Sequence, residues 1–196
     1  TEEAIDAVRV ITNHSSGKMG IAIANECKRR GAKVILVAGK VSVSIPDFEK
    51  VVRVNSTIEM YNAVMEHYVN ADYIVMSAAP SDYRPQMVSK QKIKSDSLTL
   101  ELVKNPDIAK AVGEAKGDRK LVIFSAETEN LIDNARAKLI KKHADMVVAN
   151  DVTEAGAGFN VDTNKVSIIA NDTIINTGVI AKTEASKVIV DNMLKL

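Results

Sequence analysis

Residues 18–39, KMGIAIANECKRRGAKVILVAG, decide the fold. Met19, Ile21, Ile23, Ala24 and Cys27 recur at helical spacing and Gly31 follows as a stop, so the first half reads as an amphipathic helix. The second half, KVILVAG, is continuously apolar over the length of a strand, the pattern of a strand buried on both faces in a parallel sheet. A helix that feeds a doubly buried strand is part of a βαβ unit, and the remainder of the chain repeats the alternation.

Working outward, VVRVN (51–55), DYIVMSAA (72–79), LTLELV (98–103), KLVIFSA (120–126) and DMVVAND (145–151) read as strands. STIEMYNAVMEHYV (56–69) reads as a helix with Ser56 and Glu59 at capping-box spacing. NPDIAKAVGEAKG (105–117) is a helix with Asn105 as cap, Pro106 at the first helical position and Gly117 after the last turn. NLIDNARAKLIKKHA (130–144) is a helix with Leu131, Ala135, Leu139 and Ile140 on one face, and KTEASKVIVDNMLKL (182–196) closes the chain as another. KVSIIANDTIIN (165–176) reads as a C-terminal β-hairpin turning at Asn171 and Asp172. The pattern predicts an α/β fold with a mostly parallel sheet, helices on both faces and ligands at the carboxyl ends of the strands.

A length of 196 residues with 46% hydrophobic content suits one domain, residues 1–196, with a substantial core. Lys plus Arg number 26 against 25 for Asp plus Glu, so no global field draws the chain to nucleic acid or an anionic membrane. The single cysteine, Cys27, cannot form an internal disulfide or a metal cage and reads as a small core residue in a reducing compartment. No apolar run of about 18 residues and no leader segment are visible, so the expected location is cytoplasmic.

TNHSSGKMG (12–20) follows an apolar segment and opens the first helix. Free amides and the positive end of the dipole at a helix N-terminus favour an anion, phosphate foremost, and Gly17 allows close approach; an ordinary N-cap uses the same residue types. His14 reads as a surface histidine. Four strand ends, SAAPSDYRP (77–85), KNPDI (104–108), SAETEN (125–130) and ANDV (149–152), would gather at one edge of a parallel sheet. Lys90, Lys92 and Lys94 lie in an irregular loop, and Lys138, Lys141 and Lys142 on one helix; a nucleotide triphosphate would use both sets. The loop, about residues 85–97, is expected to be a flexible flap. No metal-ligand constellation, Ser-His-Asp signature, G-x-G-x-x-G or P-loop is present.

The ordered set VRVITNHSSGKMG, SAAPSDYRP, KQKIK, LVKNPDI, FSAET and ANDV…AGFNVDTN closely resembles phosphopantothenoylcysteine synthetase, the ligase step of coenzyme A biosynthesis, through nearly the whole chain. The resemblance implies a Rossmann-like three-layer fold and a homodimer that joins 4′-phosphopantothenate to L-cysteine with CTP and Mg2+ through an acyl-cytidylate. It implies that Met76, Ser77, Ala78 and Asp82 surround cytosine and ribose, and that Lys92, Pro106, Asp107, Ile108, Ala109, Phe124, Lys138 and Lys142 complete the nucleotide site. Ser15, Ser16 and Gly17 would hold a phosphate-bearing part of substrate or nucleotide. Arg9 and Asn13 would hold the phosphopantothenoyl group and its activated carbonyl, so Asn13, Lys92 and Arg9 are the expected catalytic residues; no protein metal ligand is assigned. The bacterial form is usually fused behind a flavin-containing phosphopantothenoylcysteine decarboxylase domain. It begins with an apolar strand and a Gly-Gly-Thr turn, of which at most Thr1 stands here, so the chain is expected to lack the first strand of its sheet. A nicotinamide-dependent Rossmann oxidoreductase and a noncatalytic nucleotide-binding or dimerisation module are the competing readings.

Overall fold

A computed structural model describes residues 1–127, 129–151, 161–171 and 173–196. The chain opens with a short antiparallel hairpin, β1 (Glu2–Ala4) and β2 (Val10–Thr12), and then enters α1 (Lys18–Arg29). A parallel pair follows, β3 (Ile35–Ala38) with β4 (Lys50–Arg53), and then α2 (Thr57–His67) and β5 (Tyr73–Met76). β6 (Tyr83–Pro85) and β7 (Leu102–Lys104) form an antiparallel arm that leads into α3 (Ile108–Ala115). β8 (Lys120–Glu127), α4 (Leu131–Lys141) and β9 (Met146–Asp151) complete the alternating part. β10 (Thr163–Asn164), β11 (Val166–Ala170), β12 (Thr173–Asn176), β13 (Ile180–Ala181) and α5 (Lys182–Met193) close the chain.

The central sheet has the order β12-β11-β9-β8-β5, with β5, β8 and β9 parallel and β11 and β12 antiparallel. Its period of two sorts the side chains into two cores. Leu121, Ile123, Val147, Ala149 and Ile169 meet α2, α3 and α4 on one face, whereas Val122, Met146, Val148, Val166 and Ile168 meet α1 and α5 on the other. The result is the expected three-layer α/β arrangement. Leu121, Met146, Ile168 and Ile189 are fully buried, and each such side chain contributes about 1.5–3 kcal/mol of transfer free energy.

Local signals account for most element ends. Gly31 takes φ 91° just past α1, and the Ser56 hydroxyl accepts from the Glu59 amide at 3.2 Å at the start of α2. The buried Glu3 carboxylate accepts from both the amide and the hydroxyl of Thr57, at 2.8 and 2.7 Å, placing a negative charge at the positive end of α2. The C-terminal hairpin forms as expected, with Asn171 at φ 46°; Asp172 lies outside the described residues.

Three readings of the sequence need correction. Within LTLELV only Leu102 and Val103 are strand, as part of Leu102–Lys104, which pairs with Tyr83–Pro85 outside the central sheet; Leu98 and Leu102 remain exposed, because this segment covers one face of an arm. Helix α3 is capped by Asp107, whose Oδ1 accepts from the Lys110 amide at 3.0 Å, and not by Asn105, so Pro106 precedes the cap and is not the first helical residue. The Asn105 amide is engaged elsewhere, donating to the Ser81 carbonyl and accepting from Arg84, both at 2.9 Å. Ile140 is 75% exposed and does not share the buried face of Leu131, Ala135 and Leu139.

Among the described residues β3 pairs only with β4, and β5 only with β8. A cavity of about 1090 Å³ runs along both strands, from Ile35 to Ala38 and from Tyr73 to Met76, with α1 (Ile23, Ala24, Cys27) and α2 (Met60, Val64) as its walls. Burial raises the pKa of the Cys27 thiol, as suits an inert core cysteine. Among the described residues no helix is long and apolar enough to cross a membrane.

Candidate active site

The polar turn ahead of α1 is shaped by what presses against it. Gly17 precedes the helix at φ 77°, and a Cβ there would stand 2.3 Å from Val41 Cγ1. A Cβ on Gly20 would stand 2.7 Å from the Ser77 hydroxyl, so the first turn of α1 lies directly against the end of β5. The buried Ser16 contributes its carbonyl to Ser42, which donates its amide at 3.1 Å and its hydroxyl at 3.3 Å. The two glycines thus let the helix start press against the side chains of Ser77, after β5, and Val41, after β3.

A cavity of about 310 Å³ opens at that junction. Ser15, Ser16 and Gly17 form one side; Ser77, Ala78 and Asp82 come from the end of β5 and the loop after it, and Phe124 comes from β8. Seven of the residues expected at a nucleotide site therefore share one pocket at the carboxyl ends of parallel strands. Met76 and Asn13 line the larger neighbouring cavity. Asn13 bridges the two regions by donating its amide to the carbonyls of Pro80 at 3.1 Å and Ala79 at 3.3 Å. His14 is exposed.

Sequence reading missed Lys182, which is buried and lines the small cavity; it marked Asn150 and Asn164, two further buried lining residues, only within the segments ANDV and AGFNVDTN. The Lys182 ammonium donates to the Val161 carbonyl, and burial followed by repulsion from Lys18 lowers its pKa. Nothing in the sequence distinguishes Lys182 from an ordinary lysine at a helix start. Residues 157–160, half of AGFNVDTN, together with Val152 lie outside the described residues.

The remaining expected residues stand on other elements and do not line the small cavity. Lys138 donates to the Ser125 hydroxyl at 2.7 Å and to Glu127 Oε1 at 2.5 Å, and Asn134 holds Glu127 Oε2 at 3.1 Å. Burial pushes the Glu127 pKa up, but the hydrogen bonds from Lys138 and Ser125 outweigh it and leave the carboxyl below its ordinary range. Lys142 pairs with Asp107, the cap of α3, which is likewise lowered despite burial, chiefly by Lys142. Pro106 and Asp107 precede α3, with Ile108 buried and Ala109 partly buried behind them.

Arg9 closes the β1–β2 turn with a two-pronged ion pair to Asp6, Nε at 2.9 Å and Nη2 at 2.5 Å, and its Nη2 reaches the Ile93 carbonyl at 3.0 Å. The 85–97 loop is thereby held at Ile93, and again at Ser89, whose amide donates to the Ile5 carbonyl at 3.1 Å. Lys90, Lys92 and Lys94 are exposed along it. Among the described residues no group of three or more His, Cys, Asp or Glu forms a metal cluster.

Fold and site together define a Rossmann-like α/β protein with a polar pocket where parallel strands end. Over residues 1–196 the chain matches the DNA/pantothenate metabolism flavoprotein C-terminal domain, and it belongs to that family. It is 42% identical to the coenzyme A biosynthesis bifunctional protein CoaBC of Vibrio parahaemolyticus, covering 100% of this chain and 50% of that protein. It is 44% identical to CoaBC of Escherichia coli K12 over 88% of this chain and 44% of that one. The chain thus spans about half the length of these curated relatives. A crystal structure of the C-terminal domain of CoaBC superposes with TM-score 0.84 at 38% identity, covering 98% of this chain and 89% of that one. The same fold recurs in the DNA/pantothenate metabolism flavoprotein from Streptococcus pneumoniae, with TM-score 0.86 at 24% identity over 100% of this chain and 95% of that one.

Proposed function

We propose that this chain is a CTP-dependent phosphopantothenate–cysteine ligase of coenzyme A biosynthesis, acting in the cytoplasm. The observation that carries the reading is the convergence of Ser15–Gly17, Ser77, Ala78, Asp82 and Phe124 on one strand-end pocket in a chain of this family. In the first half-reaction the 4′-phosphopantothenate carboxylate attacks the α-phosphorus of CTP, giving an acyl-cytidylate and releasing pyrophosphate. In the second the L-cysteine amine attacks the acyl carbon and CMP leaves. Lys92, Lys138 and Lys142 supply the fixed cations that a triphosphate requires, and the Asn13 amide is the donor for the carbonyl on which negative charge grows. Mg2+ would be carried mainly by phosphate oxygens and water, and Asp82, which lines the pocket, would face cytosine and ribose. Pyrophosphate release that requires both phosphopantothenate and CTP, followed by cysteine-dependent CMP release, supports this function; release without phosphopantothenate overturns it.

Two further parts of the reading concern assembly. Val8, Val10, Tyr83, Met87, Val88 and Leu102 are exposed on the β1–β2 hairpin and the β6–β7 arm, which pack together, and an apolar patch of this kind suits a homodimer with a shared site. The cavity between β3 and β5 has, among the described residues, an unpaired sheet edge on each side and apolar helix walls, which suits an added parallel strand; we assign it to sequence upstream of Thr1, ahead of which a decarboxylase domain would be fused. Supplying an apolar N-terminal strand should raise the melting temperature. No gain on adding that strand would refute the assignment.

A further inference from the structure

Asp6 has no catalytic part in the reaction above, yet it is the most heavily engaged carboxylate among the described residues. Its side chain is fully buried, and the residue is 4% exposed. Five donors converge on it: the amides of Val8 and Arg9 at 2.9 Å on Oδ1, then Arg9 Nε at 2.9 Å, Arg9 Nη2 at 2.5 Å and the Ile93 amide at 3.0 Å on Oδ2. The same Arg9 Nη2 donates to the Ile93 carbonyl at 3.0 Å. Ile93 is therefore gripped at both of its backbone groups by one ion pair, its N–H by the carboxylate and its C=O by the guanidinium. A residue held at both backbone groups cannot slide or rotate, and its neighbours on either side are Lys92 and Lys94, both exposed.

Turn geometry alone does not require this. A carboxylate that accepts the Val8 and Arg9 amides already closes the β1–β2 turn, which Ile5 also closes by donating its amide to the Arg9 carbonyl at 2.9 Å. The second carboxylate oxygen is spent entirely on Arg9 and on a residue 87 positions away in the sequence. Charge-assisted hydrogen bonds of this type are the stronger class, and buried ones are screened least.

We propose that Asp6 is a positioning residue that locks Arg9 and the Lys92-bearing segment into one rigid unit before substrate arrives. The inference rests on the ligase reading for its effect on catalysis, but the lock itself does not depend on that reading. Without Asp6 the guanidinium loses its orienting partner and Ile93 loses its amide acceptor, so two groups assigned to substrate and triphosphate become free of each other.

The test uses the full chain and two readouts. Hydrogen exchange of residues 89–95, without ligand, should be faster in Asp6→Asn by about tenfold, the factor for a lost charge-assisted hydrogen bond, while the amides of β8 and β9 exchange as in the parent. Acyl-cytidylate formation from phosphopantothenate and CTP should fall by about tenfold or more, in kcat more than in KM, because orientation and not mere contact is lost. Unchanged exchange at 89–95 overturns the lock. Faster exchange with undiminished activation overturns its role in positioning. If the parent itself forms no acyl-cytidylate, the ligase reading fails, and the exchange arm still decides the lock. Should Asp6→Asn not fold, Arg9→Lys, which keeps the charge but loses the fork to Ile93, takes its place in the exchange measurement: faster exchange at 89–95 supports the lock and unchanged exchange overturns it.

Discussion

At the scale of single residues, Gly17 is the position where chemistry and packing are least separable. Its φ of 77° and the 2.3 Å approach of Val41 Cγ1 to a Cβ placed there leave no room for alanine. Gly17→Ala should cost about 3 kcal/mol, from left-handed strain plus overpacking, and lower Tm by roughly 10 °C in calorimetry. Lys92 and Asn13 should fail at different stages of the proposed reaction. Lys92→Gln removes a charge that offsets the triphosphate, so acyl-cytidylate formation should fall at least 10²-fold, about 3 kcal/mol. Asn13→Ala keeps that charge and loses a donor to the activated carbonyl, so the intermediate should persist even after cysteine is added, as mass spectrometry would detect; the reverse pattern refutes these roles. Glu26 gives a residue-level pH dependence. Hydrogen bonds from Arg29 and then Arg30 hold its pKa down to about 2 from 4.5, and Arg30 also pairs with Asp191 on α5 at 2.6 Å. A carboxylate lowered on folding stabilises above its unfolded pKa and loses that contribution as pH falls through the folded one. Glu26→Gln should therefore lower Tm at pH 7, and the gap from the parent should close between pH 4.5 and about 2.

At the scale of elements, the close approach of α3 to the end of α4 sets the Asp107–Lys142 pair. A Cβ on Gly113 would stand 1.8 Å from the Lys142 carbonyl, so the helices meet backbone to backbone. Gly113→Ala should push α4 away, destabilise the chain by about 1–3 kcal/mol and weaken CTP binding through displaced Lys142. Thermal melts and CTP titration would check the two effects separately. Elements were also where the sequence spoke most clearly. Continuous apolar runs identified β3, β5, β8 and β9, and Gly31 and Ser56 marked helix ends, because burial on both faces and caps both leave a one-dimensional trace. LTLELV was misjudged because its apolar residues lie on an arm whose second face is solvent. Asn105 was misjudged because a cap and a cross-loop brace use the same amide. Lys182 left no trace, since its burial is decided by α5 docking beside the pocket and not by its neighbours in sequence. The strand-end polar segments were legible as a group, because parallel strands must deliver their carboxyl ends to one side.

At the scale of the whole molecule, the exposed apolar side chains of the arm yield a solution prediction. Met87 is 85% exposed beside Val88, and Met87→Glu with Val88→Asp should leave Tm nearly unchanged while shifting the sedimentation coefficient from dimer to monomer. A parent that already sediments as a monomer would count against the homodimer. The facing edges of β3 and β5 bear on something else, the handling of the material itself. Among the described residues each edge has one strand partner and borders an apolar trench, a geometry that takes up an extended segment by strand addition. A chain handled with that trench unfilled should self-associate as its concentration rises, which light scattering would follow. Shelf life would thus be governed by a trench whose far end, at Asn13 and Met76, adjoins the pocket.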